Sequence, residues 1–158
     1  MAAAQISYED ELIVSSSPNV DQAKRTVVIT VDGSDASAYA VEWSVQNLLK
    51  ADDHVVLLHC HQRQRIENEV HAHASQVLQT AVKQLPASTI TTAVSLIADG
   101  VGLRLSDKIA EIAPDCVVCG TSVSKTAVAK ALHGSISDYL VHTCTCAVIV
   151  PKAPAATA

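Results

Sequence analysis

The chain has 158 residues, 49% of them apolar, and a formal net charge of −5 at pH 7. That length suits one domain whose core needs no disulfide or metal staple. The acidic balance counts against wholesale binding to nucleic acid or an anionic membrane, which call for a basic face, and no apolar run approaches the ~20 residues of a membrane-spanning helix.

Phenylalanine is absent and Trp43 is the only tryptophan, so Val, Ile, Leu and Ala must build the core. The five cysteines are an odd number and sit mostly in apolar segments, as expected of free thiols in a reducing compartment. Met1–Asp10 has neither the basic nor the apolar region of a signal peptide, and Glu9, Asp10 and Glu11 do not suit a transit peptide; a cytoplasmic location is expected.

Residues 1–24 show no sustained periodicity and read as a mobile extension, in which Leu12-Ile13-Val14 is a candidate for pairing elsewhere. Arg25–Val31 is a β-branched run of the kind buried on both faces of a parallel sheet. Asp32-Gly33-Ser34 ends it, and Ser34 or Asp35 can cap a helix over about Ala36–Lys50, with Ala40, Val41, Ser44, Val45, Leu48 and Leu49 on one stripe. A second strand is expected over Asp53–His61 and a long helix over Ile66–Leu85, stopped by Pro86. Thr89–Ala98 is a third strand, less apolar and so a candidate for the sheet edge. Leu105, Ile109 and Ile112 then mark a helix ending at Pro114. The fourth strand, Asp115–Gly120, leads through a long loop to a helix over about Ser135–His142 and a fifth strand, Cys146–Val150. Alternating strands and helices define βαβ units, one mainly parallel sheet, and a single domain over residues 25–152, with a disordered tail at 153–158.

The most informative stretch is Val117–Ser137. An apolar strand ends at Gly120, a small-residue loop carries Lys125 and Lys130, and Gly134-Ser135 open the next helix. A helix start has unpaired N–H groups and partial positive charge, and a neighbouring glycine lets an anion approach the backbone. The loop and helix start therefore read as a holder for nucleotide phosphates. The first strand also ends in small polar residues, Asp32-Gly33-Ser34. If the first and fourth strands are neighbours, both ends border the crevice where open α/β sheets bind ligands.

Val31-Asp32-Gly33-Ser34, the element order, and the closing pattern from Gly120 through Gly134-Ser135 to His142–Val150 resemble the universal stress protein family over about Lys24–Lys152. The resemblance implies an open five-stranded parallel sheet of order 3-2-1-4-5 with helices on both faces, the adenine nucleotide alpha hydrolase-like α/β fold. Some members bind ATP through a loop of Gly, two residues, Gly, nine residues, Gly, then Ser or Thr; others lack it. Here Gly120 and Gly134-Ser135 match the ends, but Val123 and Ser124 stand where the middle glycine belongs, with one extra residue between. Serine in a left-handed conformation costs on the order of 1 kcal/mol, against ~8 kcal/mol for micromolar binding, so retained binding is the expectation.

Carried over residue by residue, the resemblance implies Asp32 at the adenine or ribose and the main chain of Cys60 near the base. It implies Gly120 beside the ribose and phosphates, and Ser122, Ser124 and Lys125 along the phosphate loop. The Ser135 and Ile136 N–H groups would take phosphate oxygens, with the Ser135 and Ser137 hydroxyls beside them. The implied ligand is ATP, or AMP, with Mg2+ as candidate counter-ion. Asp32 equally suits capping the next helix or satisfying loop N–H groups. The resemblance also implies a homodimer through the last strand.

Other constellations carry less. Cys116 and Cys119 lie three apart on a strand and point to opposite faces. Cys144 and Cys146 with His142, and the histidines at 59, 61, 71 and 73, lack familiar metal-site spacing. No nucleophile elbow, Walker motif or dinucleotide fingerprint is present. The expected function is an ATP-binding stress or signalling regulator with at most slow hydrolysis. The alternatives are a nucleotide-free dimeric scaffold of the same fold and a thiol- or metal-responsive protein.

Overall fold

The computed structural model describes residues 10–63, 67–121 and 136–154. Side-chain positions within residues 67–71 are not part of that description. The loop residues Ser122, Ser124, Lys125, Gly134 and Ser135 lie outside the described residues.

In sequence order the elements are β1 (Glu11–Ser16), β2 (Arg25–Thr30), α1 (Asp35–Asn47), β3 (Asp53–Gln62), α2 (Glu67–Gln84), β4 (Ile90–Ala98), α3 (Val101–Ile112), β5 (Cys116–Cys119), α4 (Ile136–Thr143) and β6 (Ala147–Ile149). They build one sheet of order β1-β4-β3-β2-β5-β6. The strands from β2 onward are parallel and keep the expected 3-2-1-4-5 order.

Strand β2 is central because its sequence can be buried on both sides: Val27, Val28 and Ile29 are wholly inaccessible. Side chains alternate along a strand, so Val27, Ile29 and Val31 join one cluster with Val55, Leu57, Ala93, Val118 and the stripes of α1 and α2. Val28 joins the other with Val56, Leu58, Leu96, Val117, Leu105, Ile109 and Leu140. Cys116 falls in the first cluster and Cys119 in the second, which is the opposite-face placement that the strand spacing requires. Each fully buried Val or Leu contributes ~1.5–3 kcal/mol, so these two layers hold the sheet and its helices together.

The amino ends of β2 and β3 are aligned by a bidentate ion pair. Arg25 Nε and Nη2 donate to Asp53 at 2.9 and 2.6 Å, and Lys50 N–H donates to the same carboxylate at 2.8 Å. Asp53 is buried; burial alone would raise its pKa, but the hydrogen bonds from Arg25 and Lys50 and the Arg25 charge outweigh it and hold the carboxyl below its ordinary range. Registering the strands at this end also fixes where their carboxyl ends lie.

Two expectations need correction. The extension is not wholly mobile: Glu11–Ser16 pairs antiparallel with β4, from Glu11 opposite Leu96 to Ser16 opposite Thr92. Among the described residues the sheet therefore has six strands, and the third expected strand, β4, lies inside its edge. The physical reason lies far away in the sequence. An open β4 would leave a row of unpaired backbone groups, and Glu11 is anchored by Arg104 Nη2 at 2.9 Å and Lys108 Nζ at 2.6 Å. Both cations are buried on α3. Among the described residues, no helix is long and apolar enough to cross a membrane.

Candidate functional site

The carboxyl edge of the sheet is shaped by the pairing of β2 with both neighbours. Thr30 lies opposite Leu58 of β3 and Cys119 of β5. The residues that follow these strands therefore emerge side by side, as the polar strand ends led us to expect. A crevice opens between them, lined by Thr30, Val31 and Asp32, by Leu58 and Cys60, by Cys119, Gly120 and Thr121, by Val101 and Leu105 of α3, and by Ile136 at the start of α4, with Ser34 and Ser37 at the rim. Its enclosed volume is about 90 Å3.

The Asp32 turn is internally braced. Gly33 has φ +81°, a conformation that favours glycine. Asp32 Oδ1 accepts from Ser34 N–H at 2.9 Å, Ser34 Oγ caps α1 by accepting from Ser37 N–H at 3.2 Å, and Ser37 Oγ donates to Ser34 O at 3.1 Å. Burial pulls the Asp32 pKa up, but hydrogen bonds from Ser34 and Ser37, with the nearby His59, outweigh it and hold the carboxyl below its ordinary value. Asp32 is thus an anionic acceptor at neutral pH, with Oδ1 already engaged by the turn. It satisfies a loop N–H, while Ser34 performs the capping.

Gly120 has a structural reason of its own. A Cβ there would lie 2.7 Å from both the carbonyl carbon and the carbonyl oxygen of Ala36, and 2.9 Å from the Ser37 nitrogen. The end of β5 presses against the first turn of α1, leaving no room for a side chain. What Gly120 presents to the crevice is its backbone.

Of the other expected site residues, Cys60 and Ile136 line the crevice. The Cys60 thiol is pushed up to about 11, by burial first, with Arg104 pulling weakly the other way, so it is a neutral group at physiological pH. Ser137 is buried in the first turn of α4 and lies outside the crevice lining. Sequence reasoning missed Leu58, Val101 and Leu105, which supply apolar walls. The signal was available for Leu105, a core position of α3, but nothing local says that α3 begins over the end of β3.

A larger cavity of about 350 Å3 lies on the other side of the Asp32 turn, between α1 and α2, lined among others by His73, Gln76, Thr80 and Gln84. It holds neither Gly120 nor the start of α4, and so lacks the chemistry that the strand ends converge on. Near it the rings of His59, His61 and His73 cluster, with centroids 4.2 Å apart for His59 and His61 and 5.4 Å for His61 and His73. Among the described residues no group of three or more His, Cys, Asp or Glu side chains is arranged to hold a metal ion.

A mainly parallel sheet with helices on both faces, and two adjacent strand ends framing a crevice at its carboxyl edge, defines an α/β protein of the doubly wound class. Within that class the chain belongs to the universal stress protein family, whose model matches residues 24–152. Universal stress protein PHOS32 of Arabidopsis thaliana is 26% identical over 84% of this chain, and the chain spans 66% of that protein's length. Among solved structures, a universal stress protein family member from Arabidopsis thaliana with AMP bound superposes with a TM-score of 0.60 at 16% identity, covering 83% of this chain and 93% of that one. A universal stress protein in complex with cAMP gives 0.65 at 21% identity, covering 82% and 97%. At these identities the likeness establishes the shared fold.

Proposed function

We propose that this chain binds an adenine nucleotide, ATP with Mg2+ or AMP, at the carboxyl-edge crevice and acts as a regulator whose surface changes on binding. The observation that carries this reading is the convergence of Asp32, Cys60, Gly120 and Ile136, from four separate segments, on one crevice. The residues suit the ligand. Leu58, Val101 and Leu105 offer flat apolar contact to a base, and the Asp32 carboxylate matches the hydroxyl and amino donors of an adenosine. The enclosed 90 Å3 is small against the several hundred Å3 of a whole small-molecule site. The base would fill it, and the phosphates would extend past Thr121 toward the start of α4, where N–H groups favour anions. Two relatives of the same fold carry AMP and cAMP, which supports an adenine ligand.

The test is direct. Denature purified protein and assay released nucleotide, then titrate ATP and AMP by calorimetry with and without Mg2+. Micromolar binding that Gly134→Asp abolishes supports the proposal. An empty protein indifferent to millimolar ATP and AMP overturns it and leaves the scaffold reading. The regulatory part includes self-association: among the described residues β6 is the sheet's terminal strand, paired on one side only, and a second copy would extend the sheet there. Sedimentation of wild type against Val148→Asp tests that, with a monomeric wild type counting against it.

A further inference from the structure

At the opposite end of the sheet two free thiols share one bend of the chain. Cys144 N–H donates to Leu140 O at 2.9 Å and closes α4. The backbone then bends through Thr145 and Cys146 before β6 begins at Ala147. Cys144 and Cys146 thus lie two residues apart in one bend, and both side chains pack against the core cluster that contains Leu105, Ile109 and Leu140. Both thiols are free and partly accessible. Both line a separate cavity of about 290 Å3, walled by Ile109, Ala110, Ala113 and Pro114. Because Pro114 and Cys146 precede β5 and β6, this cavity lies at the amino edge of the sheet, away from the nucleotide crevice.

We propose that Cys144 and Cys146 form a dithiol site for soft, thiophilic centres that need two sulfurs at once, of which an organic trivalent arsenical is the representative, with its organic substituent seated in the adjoining cavity. The arrangement distinguishes this pair from the protein's other cysteines. Cys116 and Cys119 face opposite sides of β5 and cannot act together. Cys60 opens onto the crevice at the far edge. In the Cys144–Cys146 pair, attachment of one sulfur makes the second attack intramolecular, which multiplies affinity without any new contact.

The chemistry is balanced without an oxidant. An aryl arsenoxide and two thiols form two As–S bonds; the As–O bond breaks, and the oxygen leaves as water with both thiol protons. Burial first, and then the neighbouring Cys146, hold the Cys144 thiol above its ordinary value. Simple alkylation of Cys144, which needs a thiolate, is therefore disfavoured, whereas chelation proceeds from the thiols.

The probe is phenylarsine oxide, added to reduced full-length protein and read by intact mass under native conditions. The expected result is one phenylarsenic group per protein molecule with loss of two hydrogens. Binding should weaken about 100-fold in Cys144→Ser and in Cys146→Ser and stay unchanged in Cys119→Ser. Cys146→Ala serves as a second variant should serine lower the melting temperature. Filling the cavity with Ala110→Phe should weaken phenylarsine oxide and leave inorganic arsenite, which has no substituent, unaffected. An adduct that survives in both Cys146 variants, or that forms only after denaturation, overturns the proposal. Nucleotide binding does not enter any of these readouts.

Discussion

His59 Nδ1 lies 2.7 Å from the carbonyl oxygen of Val31. A carbonyl only accepts, so the ring donates from Nδ1, which leaves Nε2 without the proton. That atom is buried and has no hydrogen-bond partner among the described residues. A ring from β3 thereby holds the backbone immediately before Asp32, and the crevice depends on a residue that does not line it.

The protonation of His59 should be visible in stability. Burial lowers its pKa most, and His73 adds to that, while the bond to Val31 and the charge of Asp32 pull the other way; the net is below the ordinary 6.5. The unfolded state therefore takes up a proton that the folded state resists. Stability should be full above pH 6.5 and fall as the pH drops below it, toward the lower folded value. Urea midpoints between pH 7.5 and 5 check this, with a shallower slope expected in His59→Gln. His54, also lowered by burial, supplies the remaining slope. His59→Phe, which leaves the Val31 carbonyl without this donor, should cost about 1–3 kcal/mol at pH 7.5.

Asp32→Asn separates the turn from the ligand. Asparagine keeps an oxygen for Ser34 N–H but loses the charge, so the melting temperature at pH 7 should fall only modestly while the turn stays formed. Binding of an adenine nucleotide should weaken about tenfold, or 1.4 kcal/mol, by calorimetry. Because the folded Asp32 pKa is depressed, its contribution is present above pH 3.8 and lost as the pH falls further. The variant should lose that part of the acid limb.

Gly120→Ala should be costly although the change is one methyl group. The new carbon would meet the Ala36 backbone at 2.7 Å, and backbone atoms are not free to swing aside as a flexible side group is. Overpacking of this kind costs about 1–3 kcal/mol. The expected observation is a lower urea midpoint with an unchanged m value.

Glu11→Gln tests the sixth strand. Arg104 and Lys108 are each 9% exposed or less and share the Glu11 carboxylate; only Lys108 has a second acidic partner, Glu111, among the described residues. Removing the charge leaves Arg104 buried without its anion, and a loss of about 3 kcal/mol is expected. Hydrogen exchange should show β1 amides opening first. If Glu11→Gln is silent in both measurements, the pairing of β1 does not rest on this cluster.

The sequence by itself determined the alternation of strands and helices, the burial of β2 on both faces, and the separation of Cys116 from Cys119, because each follows from a side-chain period of two or 3.6 acting locally. It also marked the two strand ends that meet at the crevice, since small polar residues after an apolar run are a local signal. Leu12-Ile13-Val14 is a local candidate for pairing, but tertiary structure alone decided that Glu11–Ser16 would join β4 as a sixth strand: the cations that anchor it lie 93 and 97 residues away, and no local pattern encodes a partner so distant. It alone placed Val101 and Leu105 over the crevice, set the ring of His59 beneath the Asp32 turn, and left Gly120 no room for a side chain. Those relations depend on how separate elements pack against one another, which periodicity within one element cannot specify.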